Sequence, residues 1–172
     1  MALEIRPYRE EDLEGMRAIW NGIVEAGNAF PQVYPLSAEE AAEFFVSQSL
    51  SAVAVVDGQV FGLYILHPNN VGRCGHVANA SYGVAKRSRG LGLGRELVKD
   101  SLAQAARLGF RGLQFNAVVD SNKGAMDLYE DLGFSHIGVI PGGLLNGYGA
   151  FEDMHIYYRD VMDTTACGCG TC

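Results

Sequence analysis

The stretch Arg89-Gly90-Leu91-Gly92-Leu93-Gly94-Arg95 constrains this chain more than any other, because an extended apolar run ends at Val84-Ala85 before it and a helical pattern opens near Arg95. Glycines let a backbone adopt left-handed conformations and approach an anion closely, and the first amides of a following helix point outward without partners. Arg89 and Arg95 add cationic donors. The segment therefore reads as a strand, loop and helix arranged for a pyrophosphate. Two common nucleotide loops do not fit: the dinucleotide fingerprint requires a third glycine where Arg95 stands, and no Gly-Lys-Ser/Thr is present. A tight glycine turn with a purely structural role is the alternative that the loop alone leaves open.

At 172 residues with 48% hydrophobic content, the chain has room for one domain with a substantial core, expected over residues 1–160, with residues 161–172 as a flexible Cys/Gly-rich tail. A formal charge of -7 with scattered lysines argues against nucleic-acid and anionic-membrane partners, which need clustered positive charge. The N-terminus carries no signal-peptide apolar region and no run is long enough to span a bilayer, so the expected location is cytoplasmic. Cys74 sits in a loop, and Cys167, Cys169 and Cys172 crowd the tail, which is no disulfide framework. Three thiols on a chain end make a poor closed metal site, and no metal is expected.

Hydrophobic periodicity orders the rest. Leu3 to Tyr8 alternates like a strand, and Leu13, Met16, Trp20, Ile23 and Val24 recur at helical spacing. Ser37-Ala38-Glu39-Glu40 is a capping box opening a second helix with Ala41, Phe44 and Phe45. Asp57-Gly58 between Ala52–Val56 and Val60–Leu66 predicts a hairpin. His76 to Ala85 is the strand entering the glycine loop. The helix after it places Leu97, Val98, Leu102, Ala105 and Leu108 on one side, and Leu113–Val119 follows as a strand. A helix over 122–131 stops at Gly133, and Phe134–Ile140 and Phe151–Arg159 supply two strands around a glycine-rich loop. The predicted order is strand, two helices, three strands, helix, strand, helix and two strands: an α/β (α+β) chain with a mixed, mostly antiparallel sheet of about seven strands flanked by about four helices.

A second motif stands downstream. Asn122-x-x-Ala125-x-x-x-Tyr129 precedes Leu132-Gly133-Phe134, and positions seven apart on a helix differ by only about 20° in azimuth, so these side chains share a face. Alone they read equally well as an N-cap, a packing alanine and a core tyrosine. Joined to Arg-x-x-Gly-x-Gly, they resemble the signatures of the GCN5-related N-acetyltransferase superfamily. The segments Gly72-Arg73-Cys74-Gly75-His76-Val77-Ala78-Asn79-Ala80-Ser81-Tyr82 and Gln114-Phe115-Asn116-Ala117-Val118-Val119-Asp120-Ser121-Asn122 resemble the yeast acetyltransferases of proline analogues such as azetidine-2-carboxylate. Residues 19–31 resemble the substrate-side helix and loop of those enzymes. Tyr82 departs from their phenylalanine by a hydroxyl.

The resemblance implies an acetyl-CoA-dependent N-acetyltransferase with no metal. It implies a cofactor site of Val84, Arg89, Gly90, Gly92, Gly94, Arg95, Asn122 and Tyr129, with backbone amides around Tyr82, Gly83 and Val84 polarising the acetyl carbonyl. It makes Tyr129 the general acid and Asn79, Tyr82 and Asn116 the contacts to a small amino or imino acid. Strand asparagines also serve neighbouring backbone groups, which is the structural alternative for Asn79 and Asn116. His76 is the first candidate for a proton acceptor, Glu25 and His155 are weaker ones, and solvent is the remaining route. Other readings are an acetyltransferase for a phosphinothricin-like amino acid, a polyamine or a protein terminus, and a non-catalytic acyl-CoA sensor. Phe151, Ile156, Tyr157 and Tyr158 suit either internal packing or a homodimer interface.

Overall fold

The computed structural model describes residues 2–88 and 90–162; Arg89 and nearly all of the predicted tail lie outside them. The elements run β1 (Leu3–Pro7), α1 (Leu13–Ala26), α2 (Ala38–Val46), β2 (Leu50–Val56), β3 (Gln59–Pro68), β4 (Val77–Val84), α3 (Leu93–Arg107), β5 (Gly112–Val119), α4 (Lys123–Asp131), β6 (Ser135–Leu145) and β7 (Phe151–Asp160). Seven strands form one sheet in the order β1-β2-β3-β4-β5-β7-β6, with β4 and β5 parallel and every other neighbour antiparallel. This is the predicted order.

Local chemistry accounts for the elements. Ser37 Oγ accepts from the Glu40 amide while the Glu40 carboxylate accepts from the Ser37 amide, closing the capping box of α2. Asp57 and Gly58 both take positive φ, the requirement of a tight hairpin turn with the twist of its strands. Asn122 caps α4 by accepting from the Ala125 amide at 3.2 Å. One prediction needs correction: the glycine-rich segment after Ile140 does not end the strand. β6 continues to Leu145, with register shifts between Ile140 and Leu144 that take up Pro141-Gly142-Gly143. Proline is tolerated there because β6 is an edge strand, and the Gly142 amide is satisfied by Asp153 Oδ1 at 2.8 Å.

Helices cover both faces. Met16, Trp20, Val24, Ala41 and Phe45 pack on Val53, Val55, Leu63 and Ile65. On the other face Leu97, Val98 and Ala105 of α3 meet Tyr64, Leu66, Leu113, Phe115 and Tyr157. β2 and β3 read as unbroken apolar runs because both of their faces are covered. The sheet opens between β4 and β5, which pair only over Val77–Asn79 while β4 continues to Val84 on β3.

Candidate active site

The opening is made by residue-level causes. In β5 the register against β7 shifts between Phe115 and Val118, a bulge at Asn116-Ala117 that bends the strand away. At the last paired position Asn79 Nδ2 also donates to Gln114 O, at 3.0 Å, so the side chain reinforces the final rung before the strands part. Beyond it the free edge of β4 faces the gap. Ala85 N donates to Phe61 O and Asn69 N to Val77 O, which fixes the alternation: odd-numbered residues of β4 point their backbone groups at β3, and beyond the last rung to β5 Tyr82 and Val84 point theirs into the opening. The expectation for Gly83 is corrected accordingly, since its amide lies on the β3 side opposite Leu63.

Two connected cavities occupy this opening. The groove, about 460 Å³, runs between Tyr82 and Val84 of β4, Gly94 and Val98 of α3, Ser121, Asn122, Ala125 and Tyr129 around the start of α4, and Ile23, Ala26, Asn28 and Ala29 at the end of α1. The inner cavity, about 230 Å³, is bounded by Asn79, Ser81 and Tyr82 on β4, Phe115, Asn116 and Val118 on β5, and Ala29, Phe30 and Pro31 from the α1–α2 loop. Tyr82, Asn122, Ala125 and Tyr129 line both, so the predicted face of α4 sits where the cavities join.

At the α3 end, Gly90 and Gly92 have φ of 83° and 75°, and Gly92 is the N-cap without a side-chain acceptor for the helix amides. The dipole and amides of a 15-residue helix are thus open to an anion at the groove's edge. Arg95 Nη2 is engaged elsewhere: it pairs with Asp131 Oδ2 at 2.8 Å and ties α3 to α4. A short helix-to-helix ion pair of this kind was invisible to a reading that considered the loop alone.

The side chains of the inner cavity are already networked. Asn116 Oδ1 accepts from Gln114 Nε2 at 2.8 Å and Asn116 Nδ2 donates to Asn69 Oδ1 at 2.5 Å. Gln114 was legible in principle, two positions before Asn116 on one strand face, whereas Asn69 is brought in from the end of β3. Ser101 Oγ spends its proton on Val98 O at 2.7 Å, so the Tyr82 hydroxyl, 2.7 Å from Ser101 Oγ, is the donor of that pair. The hydroxyl faces α3 and leaves the aromatic ring toward the cavities. Tyr129 rests against Phe115 with ring centroids 4.4 Å apart and also against Phe134 and Tyr157, and burial raises its pKa above the ordinary tyrosine value. Tyr82 is likewise raised, by burial first and by the neighbouring Tyr129 second.

None of the three candidate proton acceptors lines either cavity. His76 is exposed at the entry to β4, where its carbonyl accepts from the Arg111 amide, and Glu25 is exposed on α1. His155 Nε2 faces Asp120 Oδ1 at 3.0 Å and its Nδ1 faces His136 Nε2 at 2.9 Å; a carboxylate only accepts, so His155 carries its proton on Nε2 toward Asp120.

A splayed strand pair with a free amide edge, an uncapped helix N-terminus at one end of the groove and a small polar cavity at the other are able to hold an extended anionic cofactor beside a small second molecule. The model of the Acetyltransferase (GNAT) family matches residues 14–134, and the chain belongs to that family. It is 30% identical over 167 residues to the N-acetyltransferase aca1 of Schizosaccharomyces pombe, covering 87% of this chain and 80% of that one. Among solved structures it is similar to a GCN5-related N-acetyltransferase from Kribbella flavida, with a TM-score of 0.86 and 35% identity over 92% of this chain and 98% of that chain. A phosphinothricin acetyltransferase from Sinorhizobium meliloti in complex with AcCoA shares the fold, with a TM-score of 0.86 at 22% identity over 93% of this chain and 89% of that chain. The protein is an acetyl-CoA-dependent N-acetyltransferase.

Proposed function

We propose that the chain acetylates the amine of a small amino or imino acid of the proline-analogue type, with Tyr129 as general acid. The observation that carries this reading is the inner cavity: about 230 Å³, lined by Tyr82, Phe115, Asn79 and Asn116 among others. That volume lies below the usual range for drug-sized ligands and suits a compact acceptor. Among the described residues it contains no carboxylate to attract a polyamine, which favours an amino acid whose own carboxylate meets the amide donors.

The groove suits the cofactor. Val84 and Tyr82 offer backbone amides, Ala125 leaves room beside Asn122, and Gly90, Gly92 and Gly94 bring the α3 amides to a pyrophosphate. Bound acetyl-CoA supplies the thioester that a neutral amine attacks. The β4 amides at Tyr82 and Val84 stabilise negative charge developing on a carbonyl oxygen in the gap. Tyr129 keeps its proton to high pH and can give it to the departing sulfur. The incoming ammonium loses its proton to water, because no described base lines the cavity.

The test is CoA thiol release against azetidine-2-carboxylate, hydroxyproline isomers, phosphinothricin, common amino acids and polyamines. Turnover concentrated on small cyclic imino acids supports the reading, and turnover on an extended or polycationic amine alone overturns it. The homodimer belongs to the same proposal: Ile137, Val139, Leu145 and Phe151 on β6 and β7 are 59%, 43%, 60% and 73% exposed, while Tyr157 is spent internally at 0%. Sedimentation of the wild type beside Phe151→Glu tests it.

A further inference from the structure

Glu152 of β7 uses both carboxylate oxygens, one toward a residue of the groove wall and the other toward the β6–β7 loop. Oε2 accepts from Ser121 Oγ at 2.6 Å, and Oε1 accepts from Asn146 Nδ2 at 2.9 Å. Ser121 lines the groove and immediately precedes Asn122. Asn146 organises the loop between β6 and β7, its Oδ1 accepting from the amides of Tyr148 and Ala150, both at 3.0 Å. That loop delivers the Gly147 amide to Gly27 O at 2.7 Å.

The approach is close enough to exclude side chains. A Cβ on Gly27 would lie 2.8 Å from Gly147 Cα, and Gly27 ends α1 at φ 67°, where glycine is favoured in any case. The residues that follow it are the other wall: Asn28 and Ala29 line the groove, and Ala29, Phe30 and Pro31 line the inner cavity. One carboxylate therefore joins the turn that carries Asn122 to the loop at Asn28–Pro31 that lines both cavities. The donors Ser121 and Asn146 hold the Glu152 carboxyl below its ordinary range, which keeps it an acceptor toward both.

We propose that Glu152 is a positioning residue that couples the cofactor-side turn at Ser121-Asn122 to the acceptor-side loop at Asn28–Pro31, through Asn146, Gly147 and Gly27. The assignment of the loop to the acceptor rests on the functional reading above; the acetyl-CoA arm of the test is measured without an amine.

Asn146→Asp is the sharpest probe, because it retains the Oδ1 acceptor that orders the loop and replaces the donor with an oxygen facing Glu152. Ser121→Ala removes the donor on the opposite wall. Isothermal calorimetry of acetyl-CoA and steady-state KM for the best amine are read for both, with melting temperature as the check on folding. We expect Asn146→Asp to weaken acetyl-CoA roughly fivefold and Ser121→Ala to raise the amine KM by a similar factor, the low end of typical site-to-site coupling. The double variant should be little worse than either single one, since both break the same link. Glu152→Gln, with a single amide oxygen for two donors, should reproduce the loss if Asn146→Asp fails to fold. Unchanged acetyl-CoA affinity in the folded variants, or effects that multiply in the double variant as independent supports would, overturns the coupling. A panel that yields no amino-acid substrate would overturn the acceptor reading and leave the calorimetric result to decide the coupling.

Discussion

The Tyr82 hydroxyl donates to Ser101 Oγ across 2.7 Å, from the site strand to a serine of α3 that is wholly buried. The hydroxyl that separates Tyr82 from a phenylalanine thus points toward α3 and acts on stability. Tyr82→Phe should leave kcat/KM within about twofold and cost about 1 kcal/mol, the usual net worth of one buried hydrogen bond. For a chain of this size the melting temperature should fall by about 2–4 °C. A large loss of kcat with unchanged melting would place the hydroxyl in the chemistry.

Tyr129 tests the general acid. Its phenol sits among Phe115, Phe134 and Tyr157 with a raised pKa, so it stays protonated through the pH range of ordinary assays. Tyr129→Phe should lower kcat by about 100-fold, the low end for a general acid, with little change in acetyl-CoA affinity. A variant with wild-type kcat would show that the departing sulfur takes its proton from water.

With no described carboxylate, histidine or lysine lining the inner cavity, the proposed mechanism leaves the substrate's own ammonium as the group that ionises. The profile of log kcat/KM should rise with pH up to the amine's pKa, and its inflection should move when a less basic amine is used. His76→Ala should leave the profile unchanged. An inflection fixed across amines would reveal an enzyme base.

Stability at acid pH has a buried source away from the site. Asp12, 4% exposed, accepts from Arg6 at 2.6 and 3.1 Å and from the Arg9 amide at 2.7 Å. Burial pulls its pKa up, and these donors outweigh that, leaving it below the ordinary 3.8. A depressed folded pKa gives stability that is present above the unfolded value and lost as pH falls through the folded one. Denaturant melts should therefore show a wild-type advantage over Asp12→Ala of about 2 kcal/mol at neutral pH, because Arg6 loses its bidentate carboxylate and keeps only Glu4 at 3.8 Å. The difference should shrink below about pH 4. A gap independent of pH would assign the loss to packing.

Much of this was legible from patterns that act locally. The capping box at Ser37, the Asp57-Gly58 turn and the helical spacing of α1 are short-range signals, and each produced its element. Asn79, Tyr82, Asn116, Asn122 and Tyr129 do converge on one cavity. What escaped the sequence depends on partners far along the chain. The amide direction of Gly83 follows from which neighbour β4 pairs with on its odd side, which composition does not encode. Arg95 turns to Asp131, Asn116 to Asn69 and Glu152 to two loops only once the sheet is assembled. The run through Pro141-Gly142-Gly143 reads as a loop by propensity, and the edge position of β6 overrides that reading.

The most direct measurement is kcat/KM for L-azetidine-2-carboxylate in Asn116→Ala beside the wild type, with acetyl-CoA affinity determined on the same preparations. A small imino acid held through its carboxylate predicts wild-type turnover, a loss of at least about tenfold on removing that carboxamide, and unchanged acetyl-CoA binding. Equal kcat/KM in the two proteins, or no turnover of this substrate by the wild type, would contradict the account.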